Sequence, residues 1–354
     1  MTMFDIIKDQ GYYVIGEIGV NYYDIAKKNN QTPMEAAKLM IDKAKESGMD
    51  AVKFQTYKAE TLASKFSPSY WDTSEESTTS QFELFRKFDS FGQEEYKELS
   101  EYCKNVEIEF FSTAFDFESA DYLNDLMNIY KISSSDLTNL PFIKYQAEKG
   151  KPVLLSTGAS TMEEIKRAVE TIEATGNKQI VLLHCVLEYP TPYSHANLEV
   201  IKTLQEEFPQ YIIGYSDHTK PDEFMDVVKT AVALGAPVIE KHYTLDKTLS
   251  GNDHYHAMDP DDMKKLKKAL EFQMEIRGSK VLNLETQEAA RQNARRSIVA
   301  AKNILAGTAL TREMLTFKRP GTGISPSELE NIIGKTVIKD ISEDTILTSD
   351  LIMA

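Results

Sequence analysis

The chain has 354 residues, 42% of them hydrophobic and 27% charged, which is the composition of a folded protein and not of a disordered one. Its formal net charge of −15 argues against binding to nucleic acid, which needs a basic surface. The sequence has no apolar run long enough to span a membrane and no N-terminal signal sequence, so we expect a cytoplasmic protein without a membrane partner.

Eight short apolar segments predict buried strands of a parallel sheet, because they are almost continuously apolar and do not alternate. They are residues 12–19, 50–56, 108–115, 129–135, 152–158, 179–185, 211–217 and 237–244. Amphipathic helical patterns follow at 33–48, 93–103, 118–127, 139–150, 161–176, 198–208, 221–235 and 260–276. The alternation predicts an α/β fold, a (β/α)8 TIM barrel, with an open doubly wound sheet as the alternative.

Local signals refine this outline. Thr161, followed three residues later by Glu164, predicts a capping box at the start of a helix. The first strand is followed by a short loop. The polar segment 58–92, which is rich in aromatic residues, is expected to be a lid or a partner contact.

The pattern changes near residue 277. We assign residues 1–277 to the barrel and 278–294 to a linker with a helical piece. Residues 295–354 form a second, small β-rich domain, in which short strands and turns alternate over 301–311, 318–326 and 335–347.

Polar side chains collect toward the C-terminal ends of the predicted strands, where barrel enzymes carry out their chemistry. Burying so many polar groups without partners would be costly, so structure alone does not account for them. They include Glu17, Lys53, Gln55, Thr113, Lys131, Ser134, Asp136, Ser156, Ser216, His218, Glu240 and His242.

The last strand ends in Glu240, Lys241 and His242. Strand alternation places Glu240 and His242 toward the barrel axis and Lys241 toward the helices. His218 ends the neighbouring strand, so these two imidazoles could share one metal ion. A hydrogen-bonded core histidine is the alternative for either.

Two lysines, Lys53 and Lys131, lie inside predicted strands. Beside the hydroxyls of Thr113, Ser134, Ser156 and Ser216 they predict a seat for a phosphate or carboxylate. A lysine Schiff base is the other functional interpretation, and a solvent-reaching lysine is the structural one. The two cysteines, Cys103 and Cys185, are interpreted as small hydrophobic residues that form neither a disulfide framework nor a zinc site.

Nine motifs follow one another along nearly the whole chain: GEIGVN, AVKFQTYKAETL, FFSTAFD, YKISSSDLTNLPFI, LLSTGAST, LLHCVLEYPTPY, GYSDHT, VIEKHYTLDKT and FKRPGTGIS. Together they resemble the sialic acid synthase family, which includes N-acetylneuraminate, legionaminate and pseudaminate synthases. The resemblance implies a TIM barrel followed by a small antifreeze-like (SAF) domain. It implies condensation of phosphoenolpyruvate with an N-acetylated or diacetamido aldose, which gives phosphate and a nine-carbon 2-keto-3-deoxy acid.

The resemblance also implies roles for individual residues. The metal, Mn2+ in preference to Mg2+ or Co2+, would be held by His218 and His242. Phosphoenolpyruvate would be held by Lys53, Thr113, Lys131, Ser134, Ser156 and Ser216. Glu17 would contact the sugar or the metal-bound aldehyde, and Glu240 would handle protons or position water. Gln55, Asp136, Tyr189 and Asp253 are further expected substrate contacts. Arg319 would reach the partner subunit's barrel in a domain-swapped homodimer.

The sequence departs from the neuraminate-type pattern near the sugar. Asp136 replaces a glutamate and Leu187 an asparagine, and the loop 250–260 carries His254 and His256. We expect these two histidines to lie in a solvated or sugar-contacting loop and not to bind the metal. The alternatives are condensation with a different aldose, such as a phosphorylated one, and a non-catalytic surface-polysaccharide assembly protein on the same fold.

Overall fold

The computed structural model describes residues 1–71, 73–74, 76–251 and 253–353. Asp72 and Glu75 of the 58–92 segment, Asn252 of the 250–260 loop, and Ala354 lie outside the described residues. The chain divides into two compact units, Met1–Arg277 and Gly278–Ala354.

The first unit is a closed barrel of eight parallel strands in sequential order. The strands are β1 Tyr13–Gly19, β2 Ala51–Thr56, β3 Glu109–Ala114, β4 Tyr130–Ile132, β5 Val153–Ser156, β6 Ile180–Cys185, β7 Ile212–Asp217 and β8 Val238–His242. The barrel closes because β1 pairs with β8, with Tyr13 opposite Val238 and Glu17 opposite His242. The predicted TIM barrel is confirmed, and the open sheet is excluded.

Twelve helices belong to this unit among the described residues. They are α1 Met3–Gln10, α2 Tyr22–Asn29, α3 Pro33–Ser47, α4 Ala59–Leu62, α5 Gln81–Arg86, α6 Gln93–Asn105, α7 Phe117–Asn124, α8 Leu140–Ala147, α9 Met162–Glu173, α10 Val200–Glu207, α11 Asp226–Ala233 and α12 Pro260–Arg277. The capping box of Thr161 and Glu164 at the start of α9 is confirmed. No helix in the described part of the chain is long and apolar enough to cross a membrane.

One prediction about the barrel's loops needs correction. The short loop expected after β1 contains α2, which buries Tyr22, Ile25 and Ala26. The 58–92 segment has internal structure as well as α4 and α5. The indole Nε1 of Trp71, which is 8% exposed, donates to two backbone carbonyl oxygens of that segment. The segment therefore has internal contacts, and its expected role as a lid or a partner contact stays a prediction.

Strand alternation places neighbouring residues of β7 and β8 on opposite faces of the barrel wall. On one face the hydroxyl of Ser216 donates to Glu240. On the other face Lys241 donates to Asp217 at 2.5 Å, and both side chains are buried. The opposite orientations predicted for Glu240 and Lys241 thus agree with their partners in the structure.

The second unit has its own core, which includes Ile298, Leu310, Val337 and Leu347. Its regular elements are α13 Glu288–Ala294, β9 Ser297–Ala300, β10 Leu315–Lys318 and α14 Leu329–Ile332, with β9 and β10 antiparallel. The strands expected in 301–311 and 335–347 are not formed. Those segments pair through isolated bridges, such as Ile304 with Ile341 and Ala309 with Thr336. Turns at residues 306–307 and 343–344 interrupt these segments, so the pairing is limited to isolated bridges.

Candidate active site

Four charged side chains meet inside the mouth of the barrel, and all four are buried. Lys53 Nζ lies 2.6 Å from a Glu17 carboxylate oxygen and 3.8 Å from Glu240. Lys131 Nζ lies 3.5 Å from the other oxygen of Glu240. Glu17 also accepts a hydrogen bond from Gln55. The strands β1, β2, β4 and β8 thus carry two cations and two carboxylates into one enclosed space.

The two carboxylates are in different electrostatic states. Burial raises the pKa of Glu17 to about 7, although the Lys53 ammonium opposes this shift. Burial alone would also raise the pKa of Glu240, but Lys131 and Lys53 outweigh it, and the pKa of Glu240 is lowered. Glu240 is therefore ionised near neutral pH while Glu17 is close to half-protonated. With two lysines against one full negative charge, the centre has excess positive charge for an anion.

Hydroxyl groups complete this centre. Lys53 donates to Thr113 Oγ1 at 3.1 Å, and the Gly158 amide donates to Ser134 Oγ. The Ser156 hydroxyl is buried and has no hydrogen-bond partner. These groups line one cavity with both lysines, Ser216, His218 and His242. A buried hydroxyl without a partner is costly, so its placement here fits a ligand that would complete it.

A second cavity continues outward from the first, since both are lined by Gln55, Tyr189 and His242. One side is polar and includes Asn21, Asp24 and Asp253. The other side, which we call the apolar wall, consists of Tyr70, Leu84, Phe85 and Phe88 from the 58–92 segment. The mouth therefore has a cationic floor and an outer chamber with one polar and one apolar side.

The structure does not bring every predicted substrate residue to these cavities. Asp136 lies outside the residues that line them and accepts a hydrogen bond from Asn139. Leu187, in contrast, lines the inner cavity. Arg319 belongs to the second unit, just after β10. The contact of Asp136 with substrate stays a prediction, and the geometry gives it no support.

The strand-end histidines are placed as expected, with ring centroids 5.4 Å apart. His218 Nδ1 donates to the Val186 carbonyl at 2.7 Å, which directs the lone pair to Nε2. Burial lowers the pKa of His242 well below its usual value, so this imidazole is neutral, as a metal ligand must be. Its buried Nδ1 has no hydrogen-bond partner. The pair fits a divalent ion, although its metal role stays a prediction.

The two loop histidines are not solvated, so of the predicted alternatives only a contact with the sugar stays open. His254 is 1% exposed and is hydrogen-bonded to Thr244 Oγ1 at 2.7 Å and to Asp24 at 3.3 Å. His256 is 0% exposed and has its ring centroid 4.8 Å from that of His242. Potential ligand atoms of His242, Asp253 and His256 all lie within 4.8 Å of one another. The reason is that the backbone after Tyr255 returns to β8 and turns the loop inward.

Cys185 also differs in part from its interpretation as a small hydrophobic residue. It is a free, buried thiol that lines the inner cavity. Its sulfur lies 3.5 Å from Ser134 Oγ and 3.8 Å from His218 Nδ1. Burial would raise the pKa of this thiol, but His218 outweighs burial and the pKa is lowered. Cys103 is free and buried among apolar residues, as predicted.

Comparison with known proteins agrees with this geometry. Residues 40–281 match the NeuB family, and residues 295–353 match the SAF domain. The N,N'-diacetyllegionaminic acid synthase of Legionella pneumophila is 38% identical, over 95% of this chain and 93% of that protein. The human N-acetylneuraminate-9-phosphate synthase is 32% identical, over 96% of this chain and 92% of that protein.

A solved structure supports the same assignment. The N-acetylneuraminic acid synthetase of Leptospira borgpetersenii, in complex with citrate, superposes with a TM-score of 0.67 at 32% identity. The match covers 78% of this chain and 89% of that one. The resemblance found in the nine sequence motifs is thereby confirmed, and this chain belongs to the NeuB family and carries a SAF domain.

Proposed function

We propose that this chain condenses phosphoenolpyruvate with an N-acetylated or diacetamido aldose. Carbon 3 of phosphoenolpyruvate forms a bond to the aldehyde carbon, water adds at carbon 2, and the tetrahedral intermediate loses inorganic phosphate. The product is a nine-carbon 2-keto-3-deoxy sugar acid. The observation that carries the proposal is the pair of buried lysines, Lys53 and Lys131, on a hydroxyl-lined floor.

The cationic floor suits phosphoenolpyruvate, whose carboxylate and phosphate both carry negative charge. Lys53 and Lys131 offset that charge, while Thr113, Ser134, Ser156 and Ser216 offer hydroxyl donors around it. Ammonium groups held in a water-poor site also stabilise charge that shifts toward phosphate as it leaves. A Schiff base at Lys53 is disfavoured, because Glu17, 2.6 Å away, and Glu240 outweigh burial and raise the pKa of this ammonium group.

The two carboxylates support proton handling beside the reacting carbons. Glu17, with a pKa of about 7, can hold or release a proton near neutral pH. Glu240 accepts from Ser216 and is held ionised by the lysines, so it can orient water for attack on carbon 2. The role of Glu240 follows the expectation from the sequence, whereas the proton-handling role of Glu17 is proposed in addition to its expected contact with the sugar or the aldehyde.

The residues fit a divalent metal, for which Mn2+ is our first candidate. His218 and His242 would hold it, and when bound it supplies Lewis-acid polarisation of the aldehyde. The neutral imidazole of His242 and the lone pair directed to Nε2 of His218 support this assignment.

The outer chamber supports an acylated and unphosphorylated acceptor. Its apolar wall would pack against acyl or methyl groups, while Gln55 and Asp253 would meet hydroxyls or amides. Among the described residues that line it, two are carboxylates, Asp24 and Asp253, and none is lysine or arginine. A sugar phosphate would meet repulsion there, which disfavours the phosphorylated-aldose alternative.

We further propose that the active unit is a domain-swapped homodimer in which Arg319 meets the acyl group in the partner subunit's barrel. The planar guanidinium offers several donors to an amide or hydroxyl. This arrangement, like the cytoplasmic location, stays a prediction from the sequence.

Phosphate release tests the proposed function directly. Phosphoenolpyruvate is incubated with Mn2+ and with N-acetylmannosamine, a 2,4-diacetamido hexose, or a phosphorylated aldose, with the Lys131→Met chain as control. We expect phosphate release and a new 2-keto acid with one of the first two sugars only. Turnover with the phosphorylated sugar alone would favour the different-aldose reading. A folded chain that releases phosphate with none of them would support the non-catalytic alternative.

A further inference from the structure

The segment 253–258 is fixed to the barrel mouth on several sides. The Met258 amide donates to the His242 carbonyl at 2.8 Å, and the Thr244 amide donates to the Met258 carbonyl at 3.0 Å. The Tyr255 hydroxyl donates to the Tyr189 carbonyl at 2.9 Å. Because His256 lies between these anchors, its position relative to His242 is set by backbone hydrogen bonds and not by a free loop.

His256 is anomalous within this fixed segment. The side chain is 0% exposed, and neither ring nitrogen has a hydrogen-bond partner. A neutral imidazole has one N–H donor and one lone pair, and leaving both unsatisfied in a buried site costs free energy. Its neighbour His254, in comparison, is bonded at both nitrogens. The segment therefore buries one satisfied histidine and one histidine that lacks a partner.

The unpaired nitrogens of His256 face other potential ligands. His242 has a buried, unpartnered Nδ1 that lies 3.8 Å from an Asp253 carboxylate oxygen. The ring centroid of His218 is 6.4 Å from that of His256. An ion that binds two imidazoles at about 2.1 Å places their ring centres roughly 4.5–6.5 Å apart. All three pairwise distances among His218, His242 and His256 fall in this range.

We infer that the divalent metal of this site has a third imidazole ligand, His256, and a carboxylate ligand, Asp253, in addition to His218 and His242. The ion then joins the ends of β7 and β8 to the segment 253–258. The inference rests on the proposed function only in that it concerns the same metal. It explains why this loop buries an imidazole that has no hydrogen-bond partner.

The ligand set has a chemical consequence. Three imidazoles and one carboxylate form a stronger site than two imidazoles, and they favour ions such as Mn2+ and Co2+ over Mg2+, which prefers oxygen ligands. Removal of His256 should therefore weaken Mn2+ binding and reduce the ratio of the affinity for Mn2+ to the affinity for Mg2+. A histidine that only contacts the sugar would leave binding of the metal alone unchanged.

The test titrates Mn2+ alone into the full chain and follows free Mn2+ by its EPR signal. The variants are His256→Gln, His256→Asn and Asp253→Asn, with His195→Gln as the matched control, since His195 is exposed and outside both cavities. We expect the His256 variants to lose affinity by at least about tenfold and the control to match the wild type. Mn2+ binding by a folded His256→Gln chain that equals the wild type would overturn the inference.

A second measurement does not depend on the folding of a variant. Pulsed EPR of the wild-type Mn2+ complex counts coordinated imidazole nitrogens. Three are expected, and two or fewer, or no Mn2+ binding, would refute the inference. The phosphate-release assay on the same wild-type sample separates the two proposals. If the wild type releases phosphate and the His256→Gln chain binds Mn2+ as tightly as the wild type, the proposed function is retained and His256 is rejected as a metal ligand. If the wild type releases no phosphate but the His256→Gln chain binds Mn2+ more weakly than the wild type, His256 is retained as a ligand and the proposed function is rejected.

Discussion

Glu17 gives the site a pH-dependent stability. Its carboxyl has a reference pKa of 4.5, which burial raises to about 7 in the folded chain. Between these values the folded state keeps a proton that the unfolded state has released. The stabilising contribution is therefore complete below pH 4.5 and is lost as pH rises through 7. Glu17→Gln removes this titration, so the melting temperature of the wild type minus that of the variant should fall from pH 5 to pH 8.

Glu35→Gln is a suitable control for that experiment. The Thr32 backbone and hydroxyl lower the pKa of this exposed carboxyl. A carboxyl with a lowered pKa stabilises the folded state at every pH above its reference pKa of 4.5. That contribution is lost only as the pH falls below 4.5 and through the lowered pKa. The difference between wild type and Glu35→Gln should thus stay constant from pH 5 to pH 8. Equal slopes for the two variants would contradict the assignment of the raised pKa to Glu17.

Lys53 and Lys131 should determine the affinity for phosphoenolpyruvate. Lys→Met at either position keeps the stem and removes a charge-assisted contact worth about 1.5–3 kcal/mol. The apparent constant for phosphoenolpyruvate should rise by roughly tenfold to a hundredfold, and far more than the constant for the sugar. Lys151→Met is the control, because Lys151 donates to backbone carbonyls away from both cavities. Steady-state kinetics with each substrate varied in turn would detect an equal effect on both constants, which would reject the role.

Single residues were predictable where strand alternation applies. Glu17, Lys53, Lys131 and Glu240 converge because parallel strands end at one rim, which follows from the pattern alone. The burial of His256 was not predictable, since it depends on the pairing of Met258 with β8. Met258 pairs with Tyr243 through a single isolated bridge, which leaves no periodic pattern in the sequence.

At the scale of elements, a buried ion pair connects β7 to β8. Lys241 donates to Asp217 and to the Thr219 carbonyl, and its side chain is 0% exposed. Lys241→Met leaves the Asp217 carboxylate buried without its counter-charge, which should cost about 3–5 kcal/mol of unfolding free energy. Lys229→Met is the comparison, because Lys229 pairs with an exposed Asp226 and should cost less than about 1 kcal/mol.

Urea denaturation of the two variants measures this difference. The geometry of Lys241 further predicts that Lys241→Met, Asp217→Asn recovers part of the lost stability, since the second change removes the uncompensated charge. If Lys241→Met matched Lys229→Met, the pair would not be a structural tie between the strands.

Elements were predictable in proportion to the length of their pattern. The eight strands and the longer helices were found because each repeats its apolar period, as α3 and α9 do. Helix α2 was missed because its buried residues end at Ala26 and the polar residues Lys27, Lys28 and Asn29 follow, so the apolar period does not continue. The strands of the second unit were overpredicted, since isolated bridges such as Ile304 with Ile341 use apolar residues as strands do.

At the scale of the whole molecule, the domain-swapped dimer makes a prediction about mixed chains. At substrate concentrations near the wild-type constants, a Lys131→Met chain and an Arg319→Ala chain are each expected to show little activity. Subunit exchange between them should restore activity, because one barrel then combines an intact Lys131 with Arg319 of the partner chain. The measurement is phosphate release before and after exchange. Mixing restores nothing if each Arg319 serves its own barrel, and the swapped arrangement is then rejected.

The seam between β1 and β8 has a consequence for biosynthesis. Tyr13 and Val238 pair although roughly 225 residues separate them, so the first strand keeps an open edge until nearly the entire first unit has left the ribosome. Glu17 and His242 are opposite each other at that seam. A nascent or truncated chain therefore exposes an aggregation-prone strand edge and also has no catalytic centre. Activity therefore cannot begin before the barrel has closed.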